Sequence, residues 1–430
     1  MKKKILFTFS LLCTAFLAQQ AFSQEVKFGG FVDTFHSAQI CKPEFDSDGN
    51  EGNDLNRKFL DSRTRAQFDL QAYNDNVSMF CSLGASYDAV CKSRSEFYIK
   101  EAYIDFGNDW ASLRTGKQII IWGKADGVQI VDIICPQDNR TLAGSNIKDK
   151  RIAVDAALLN LHSEKFALDL IAVPVFTPAK MPVESDNPLN PIMFPSKSGN
   201  KQIIWNDEEK VDFDLKNMQG GARFSAWLPF ADFAASFYTG LDHDAAYTTS
   251  LTESGIQMTG EHKRLWMAGL ETAIPAGSFV LRAESAFIKG RNFTGKKWEN
   301  MTCKPVDSNQ ICALAGFDWN GGGFTITAQY IEDIILNYDE DEFERKRRLP
   351  KATLSVEKSF LNDLLTLNFS GAINLNDKDC ALCPSAEYAI SDSLKVKGGA
   401  DIYIKGTNED STYGKLKEAS CGYIRLTYSF

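Results

Sequence analysis

Histidine is scarce in this chain. There are four in 430 residues, at His36, His162, His243 and His262, too scattered to build a catalytic or metal-binding constellation. The sequence also lacks H-E-x-x-H, G-x-S-x-G and a phosphate-binding glycine loop. The reading is a non-enzyme with no cofactor and no resident metal. Past the first residues there is no run of about 20 uncharged apolar residues, which excludes a helical membrane span. No Pro-rich or Ser-rich linker and no fixed-period repeat marks a domain boundary. Positive charge is in deficit, with 47 basic against 56 acidic residues and a net charge of −9. That balance argues against nucleic acid as a partner.

Both ends carry strong patterns. Lys2-Lys3-Lys4, an apolar run from Ile5 to Leu17, and Ala21-Phe22-Ser23 have the order of a cleaved export signal. The expected division is a signal peptide over 1–23 and one mature domain over 24–430. A lipoprotein anchor at Cys13 is disfavoured, because Leu12 stands where a small residue is needed. Loss of the three signal lysines leaves 44 basic and 56 acidic residues, a net −12. At the other end Gly422, Ile424, Leu426, Tyr428 and Phe430 alternate with Tyr423, Arg425, Thr427 and Ser429. This period-2 pattern predicts a strand with one apolar face running to a terminal aromatic, the form recognised by the bacterial barrel-assembly machinery. In lipid only helices and closed barrels satisfy every backbone group. Without apolar helices, a membrane protein of this sequence must be a barrel.

The alternation recurs along the chain. Arg63, Arg65, Gln67, Asp69 and Gln71 oppose Thr64, Ala66, Phe68, Leu70 and Ala72; Glu101, Tyr103 and Asp105 oppose Ala102, Ile104 and Phe106. Arg223, Arg282, Glu284, Gln329, Glu357, Asn368 and Lys397 lie in further segments of the same kind. Short turns fall at 74–76, 107–109, 163–164, 229–232, 275–277, 320–323, 362–363 and 391–393, each rich in turn-forming residues. Longer polar connections lie between them, at 40–57, 122–148, 178–216, 242–261 and 290–310. The predicted fold class is all-β: a transmembrane antiparallel β-barrel of about 18 strands, with short periplasmic turns and long external loops. Sixteen strands result if those near 310–319 and 384–391 do not form. An even count puts both termini in the periplasm. A barrel this wide leaves an aqueous channel unless something fills it.

One stretch goes beyond generic alternation. Glu101-Ala102-Tyr103 is followed by Gly116-Lys117-Gln118, by Trp122-Gly123-Lys124-Ala125-Asp126-Gly127, and by Asp132 and Pro136-Gln137-Asp138. Over residues 96–180 this resembles a family of bacterial outer-membrane porin-like proteins of unassigned function, related in shape to alginate-export porins. In that family a G-R/K-Q…W-G…D stretch leads into a D…N-P-x-D step. Here Cys135 stands where that pattern has Asn, so a hydrogen bond made by that Asn is not carried over to this chain. The resemblance implies a porin-like barrel and says little about solute.

The candidate pore-lining residues are Arg63, Arg65, Asp69, Glu101, Tyr103, Asp105, Arg114, Arg223, Arg282, Glu284 and Arg425, with Asp155 and Asp169 beside them. Most are expected to pair within the wall, and a minority to meet solute. The 122–148 loop, with Trp122, Asp126, Asp132, Asp138 and Arg140 around the apolar run Val128–Ile134, is a candidate constriction. An apolar run in a loop must be buried, either in the barrel mouth or against neighbouring loops. Nine cysteines remain after cleavage, an odd number, and export favours disulfides. Cys303 with Cys312, Cys41 with Cys91, and Cys380 with Cys383 are the candidate pairs, most of them expected in loops. Asp46-x-Asp48-x-Asn50 has calcium-loop spacing, but Arg57 stands where a bidentate Glu is required. The expected function is an outer-membrane porin for passive diffusion of small solutes. The alternatives are a transporter for hydrophobic or polymeric cargo and a non-conducting adhesin barrel. The expected partners are outer-membrane lipid, the assembly machinery, a small solute and further copies of the chain.

Overall fold

The computed structural model describes residues 25–41, 58–124, 128, 130–142, 144, 147–198, 201–408 and 411–430. The expected signal peptide, the acidic 46–54 loop and Asp126 lie outside these residues. Eighteen antiparallel strands form one closed sheet. They are β1 Glu25–Gln39, β2 Phe59–Asn74, β3 Val77–Asp88, β4 Glu96–Gly107, β5 Ala111–Gln118, β6 Val154–His162, β7 Phe166–Val173, β8 Gln219–Leu228 and β9 Ala231–Leu241. The circuit continues through β10 Arg264–Ala276, β11 Phe279–Phe293, β12 Val306–Gly321, β13 Phe324–Ile335, β14 Lys351–Phe360, β15 Leu365–Asn374, β16 Asp379–Ala389, β17 Leu394–Ile404 and β18 Cys421–Ser429. Each strand pairs with its neighbours in sequence, and β18 closes on β1 from Phe31↔Ser429 to Gln39↔Cys421. The last residue seals the seam, because Gly30 and Phe430 exchange two backbone hydrogen bonds of 3.1 Å.

The two segments that left the count open, near 310–319 and 384–391, are full strands within β12 and β16, so the barrel has 18 strands rather than 16. The eight short turns stand at one end, with the described termini beside them. The longer connections stand at the other.

Alternation sorts the side chains. Phe233 and Phe237 on β9, Trp266 and Leu270 on β10, and Ile424, Leu426 and Tyr428 on β18 point outward and are exposed. Large apolar groups at every second position of a closed sheet can be covered only by lipid. The inner positions hold the polar residues.

The long-loop end is more ordered than its composition suggested. The 242–261 connection is a hairpin of Ala246–Thr252 and Gly255–Glu261. It belongs to a six-stranded sheet with Trp298–Glu299, Thr302–Cys303, Lys201–Trp205 and Lys197–Ser198.

The expected disulfides do not form: all nine described cysteines are free. Cys380 and Cys383 lie three apart on β16, so a period of two places them on opposite faces. Cys303 pairs with Thr249 in the small sheet, while Cys312 sits on the barrel wall opposite Ala286. Cys91 turns its sulfur toward Ser93 and Asp186, at 3.3 and 3.4 Å, and away from Cys41. Cys312, Cys380 and Cys383 are strand residues, not loop residues as the sequence suggested.

Candidate functional site

The connection between β5 and β6 turns inward. After Gln118 it leaves the wall, enters the lumen and packs along the inner faces of β6 to β13. Ile120, Trp122, Ile130, Val131, Ile134 and Cys135 are buried against Val154, Ala156, Ile171, Val173, Tyr238, Leu265, Met267, Ala286, Ile288, Leu314 and Ile331. Burial of the five large side chains is worth on the order of 10 kcal/mol. Two glycines make room for it. A Cβ on Gly221 would stand 2.9 Å from the Trp122 ring, and one on Gly269 would stand 2.6 Å from a Val131 methyl.

Polar contacts fix the depth. Glu101 accepts the Ile119 N–H at 2.8 Å. Asp132 accepts the Trp122 N–H at 3.2 Å and pairs with buried Arg151, whose Nε donates at 2.9 Å. Lys124 donates its backbone N–H to Glu284, and its ammonium pairs with Asp232 at 2.9 Å. Arg282 holds the Lys124 carbonyl at 2.8 Å while paired with Asp318 at 2.6 Å. Asp232 is the second residue of β9 after a short turn, so the segment descends through most of the barrel.

It then returns and crosses to the opposite wall. Arg140 pairs with Glu96 and Asp138, each at 2.6 Å. These contacts raise the guanidinium pKa and depress that of Asp138, although burial opposes both charges. The Thr141 hydroxyl donates to Asp61 at 2.9 Å, and Gly144 N–H donates to Asp401 on β17 at 2.7 Å. A second apolar cluster receives it there, with Leu142 against Phe35, Leu189, Tyr403, Cys421 and Tyr423.

The inner wall is thus divided. From β6 to β13 much of it is apolar and covered by the segment. On β6 this inverts the expected alternation. Val154, Ala156 and Leu158 face inward, and Asp155, read from sequence as a lumen acid, faces outward and is exposed. Around β1, β2, β14–β18 and β3–β5 the inner face is mostly polar apart from that second cluster.

The other sequence candidates are spread over both sectors, with Arg223 on β8 and Asp169 on β7. Arg65 pairs with Asp33 at 2.5 Å, Arg114 with Asp105 at 2.7 Å, and Arg223 with Glu271 at 2.8 Å. The Arg114 guanidinium also lies 4.4 Å from the Tyr103 ring centroid. Asp69 accepts from Gln67, and Asp169 from Asn160. Arg63 and Arg425 differ. They flank the buried Phe35 ring at 5.8 and 4.9 Å, and the closest carboxylate to Arg425 is Asp33 at 3.9 Å. Asp33, Phe35, Asp232 and Asp318 escaped the sequence reading. On β1 the phenylalanines at 28, 31 and 35 occupy both faces and blur the alternation that marks the other strands.

A closed 18-stranded sheet with an apolar outer belt and a polar, partly occupied lumen defines a transmembrane β-barrel of the outer-membrane type. No family model and no curated protein matches the chain. Among solved structures it is similar to Pseudomonas aeruginosa OccK2 (OpdF), with a TM-score of 0.52 and 10% identity over 94% of this chain and 97% of that one. Acinetobacter baumannii OccAB4 gives 0.51 and 11% over 94% and 98%, and P. aeruginosa OccK8 (OprE) gives 0.51 and 10% over 94% and 98%. At these identities the likeness is one of fold.

Proposed function

We propose that this protein is an outer-membrane porin passing small hydrophilic solutes along the polar side of its lumen, with anions preferred. Its termini and short turns would face the periplasm, as in the porin-like family its 96–180 stretch resembles. The observation that carries the reading is the division of the inner wall. The β5–β6 segment fills the apolar side and leaves a wall on which five cations stand in two adjacent rows. Cross-strand register puts Arg63, Phe35, Arg425 and Lys397 in one row across β2, β1, β18 and β17. Arg65, Asp33, Thr427 and Lys395 form the next. Asp33 is shared by Arg65 and Arg425, Glu387 serves Lys395 at 3.4 Å, Asp61 near Arg63 is paired with Arg94, and Asp401 lies near Lys397, so the five cations outnumber the acids beside them. A ring with surplus positive charge favours anions, although the chain as a whole is acidic.

The test is single-channel conductance of the refolded chain 24–430 in a planar bilayer, with reversal potential read in a salt gradient. Salt-dependent steps with an anion-selective reversal potential, moved toward neutrality in R63Q/R425Q, are the expected result. A folded barrel without steps would replace the porin reading by that of an adhesin.

A further inference from the structure

His243 stands just past β9, half-buried where three connections meet. Its Nδ1 lies 2.8 Å from the carbonyl oxygen of Thr177, in the 174–218 connection. Its Nε2 lies 3.0 Å from the carbonyl oxygen of Ile134, in the lumen segment. The Phe176 ring stacks on the imidazole at 5.7 Å with an interplanar angle of 7°, which fixes the ring orientation. Both neighbours are acceptors only. A neutral imidazole carries one N–H and leaves one carbonyl facing a lone pair; an imidazolium donates to both. A cavity of about 320 Å³ adjoins this point, lined by Ile133, Cys135, Tyr238 and Asp242 among others, and gives the segment room to shift.

We propose that His243 is a proton-operated latch. Doubly protonated, it fastens the lumen segment to the 174–218 connection and holds the passage narrow; neutral, it releases one of the two bonds. The inference rests on the channel reading.

The surrounding charges permit such a switch. On its own connection Asp242 and Asp244 face it, and both pair with Arg291 of β11, at 3.1 and 3.8 Å. The lumen segment brings Cys135 and Asp132, the latter paired with Arg151. The barrel wall brings Tyr238, Cys312 and Asp333, the last paired with Arg345. Behind Phe176 lies His262, paired with Glu208 at 3.3 Å. Burial pushes the His243 pKa below its ordinary value, against the pull of the Thr177 carbonyl and Asp242. The latch therefore engages in acid, below the usual histidine range.

The experiment records single channels of the refolded wild type from pH 8 to pH 4.5, beside H243Q and the double variant E208Q/H262Q. Glutamine does not titrate between pH 8 and pH 4.5, so whatever bonds it makes to the two carbonyls do not change across the range. The wild type is expected to spend more time in its low-conductance level in acid. Its closed-to-open ratio should rise at least about fivefold, as one added hydrogen bond predicts. H243Q should show no such rise, and E208Q/H262Q should keep it. Steps of constant occupancy across the pH range overturn the latch and leave the porin reading intact. Acid closure that survives in H243Q, or vanishes in E208Q/H262Q, also overturns it. If H243Q does not fold, as judged by heat-dependent gel mobility, the wild type and the double variant decide between His243 and the His262–Glu208 pair. A chain without channels at any pH fails the porin reading itself, and the latch with it.

Discussion

Single side chains in this lumen act chiefly through their partners. Arg151 and Asp132 are both almost fully buried, so each is tolerable only while the other is present. R151M removes the guanidinium that balances this buried carboxylate and should cost about 3–5 kcal/mol. The expected outcome is a lower unfolding midpoint and a protease-sensitive β5–β6 connection, read by denaturant titration and limited digestion. The cysteines teach the opposite lesson. Export chemistry and an abundance of thiols suggested cross-links, yet pairing depends on which face each sulfur leaves, and Cys380 and Cys383 leave opposite faces of β16. Spacing along a chain says little about disulfides until the period of the element is known.

Among the elements, the lumen segment and the small sheet at the long-loop end carry the behaviour that can change. Trp122 is the largest buried side chain of the segment, and W122A should cost about 3–5 kcal/mol by leaving a void beside Gly221. If the segment narrows the passage, W122A widens it, seen as a larger conductance step in the bilayer. The small sheet is tied to the barrel by Glu208 and His262. The hydrogen bond from His262 depresses the Glu208 pKa against its burial. Burial works against the charged imidazole, but Glu208 and the Asp242 carbonyl outweigh it and raise the His262 pKa. The glutamate contribution is complete above the ordinary value of 4.5 and is lost as pH falls through the depressed one. The histidine contribution is complete below 6.5 and is lost as pH rises through the raised one. The sheet should therefore be held best between these limits. Hydrogen exchange of the 246–261 hairpin should be slowest there and faster on both sides, and E208Q should flatten the profile.

For the whole molecule, stability belongs to closure and to the lipid-facing belt. Among the described residues no strand of the barrel sheet has a free edge, because β18 returns to β1 and Phe430 bonds to Gly30. Leu270 projects outward from the middle of β10 and is 62% exposed. L270R places a charge near the bilayer midplane and should cost about 2–4 kcal/mol. Unfolding in lipid vesicles measures this directly. An arginine at an inner position such as 269 would fail for a different reason, by striking Val131.

Much of this architecture was legible in the sequence, because a barrel strand writes its environment with a period of two. Water inside and lipid outside impose opposite demands on successive residues, and the eight short turns carry the residues that tight reversals need. The closed barrel and its count of about 18 strands followed from those local rules. Where both sides of a strand meet apolar surroundings, as on β6, or aromatics fall on both faces, as on β1, the code lost its contrast. The apolar run at 128–134 announced that it must be buried without saying where. Its seat on β6–β13, the crossing to Asp401, the pairing of Asp132 with Arg151 and the meeting of His243 with Thr177 and Ile134 join residues far apart in the chain. Only the closed barrel brings them together, because such contacts are fixed by the register of the whole circuit and not by any local pattern.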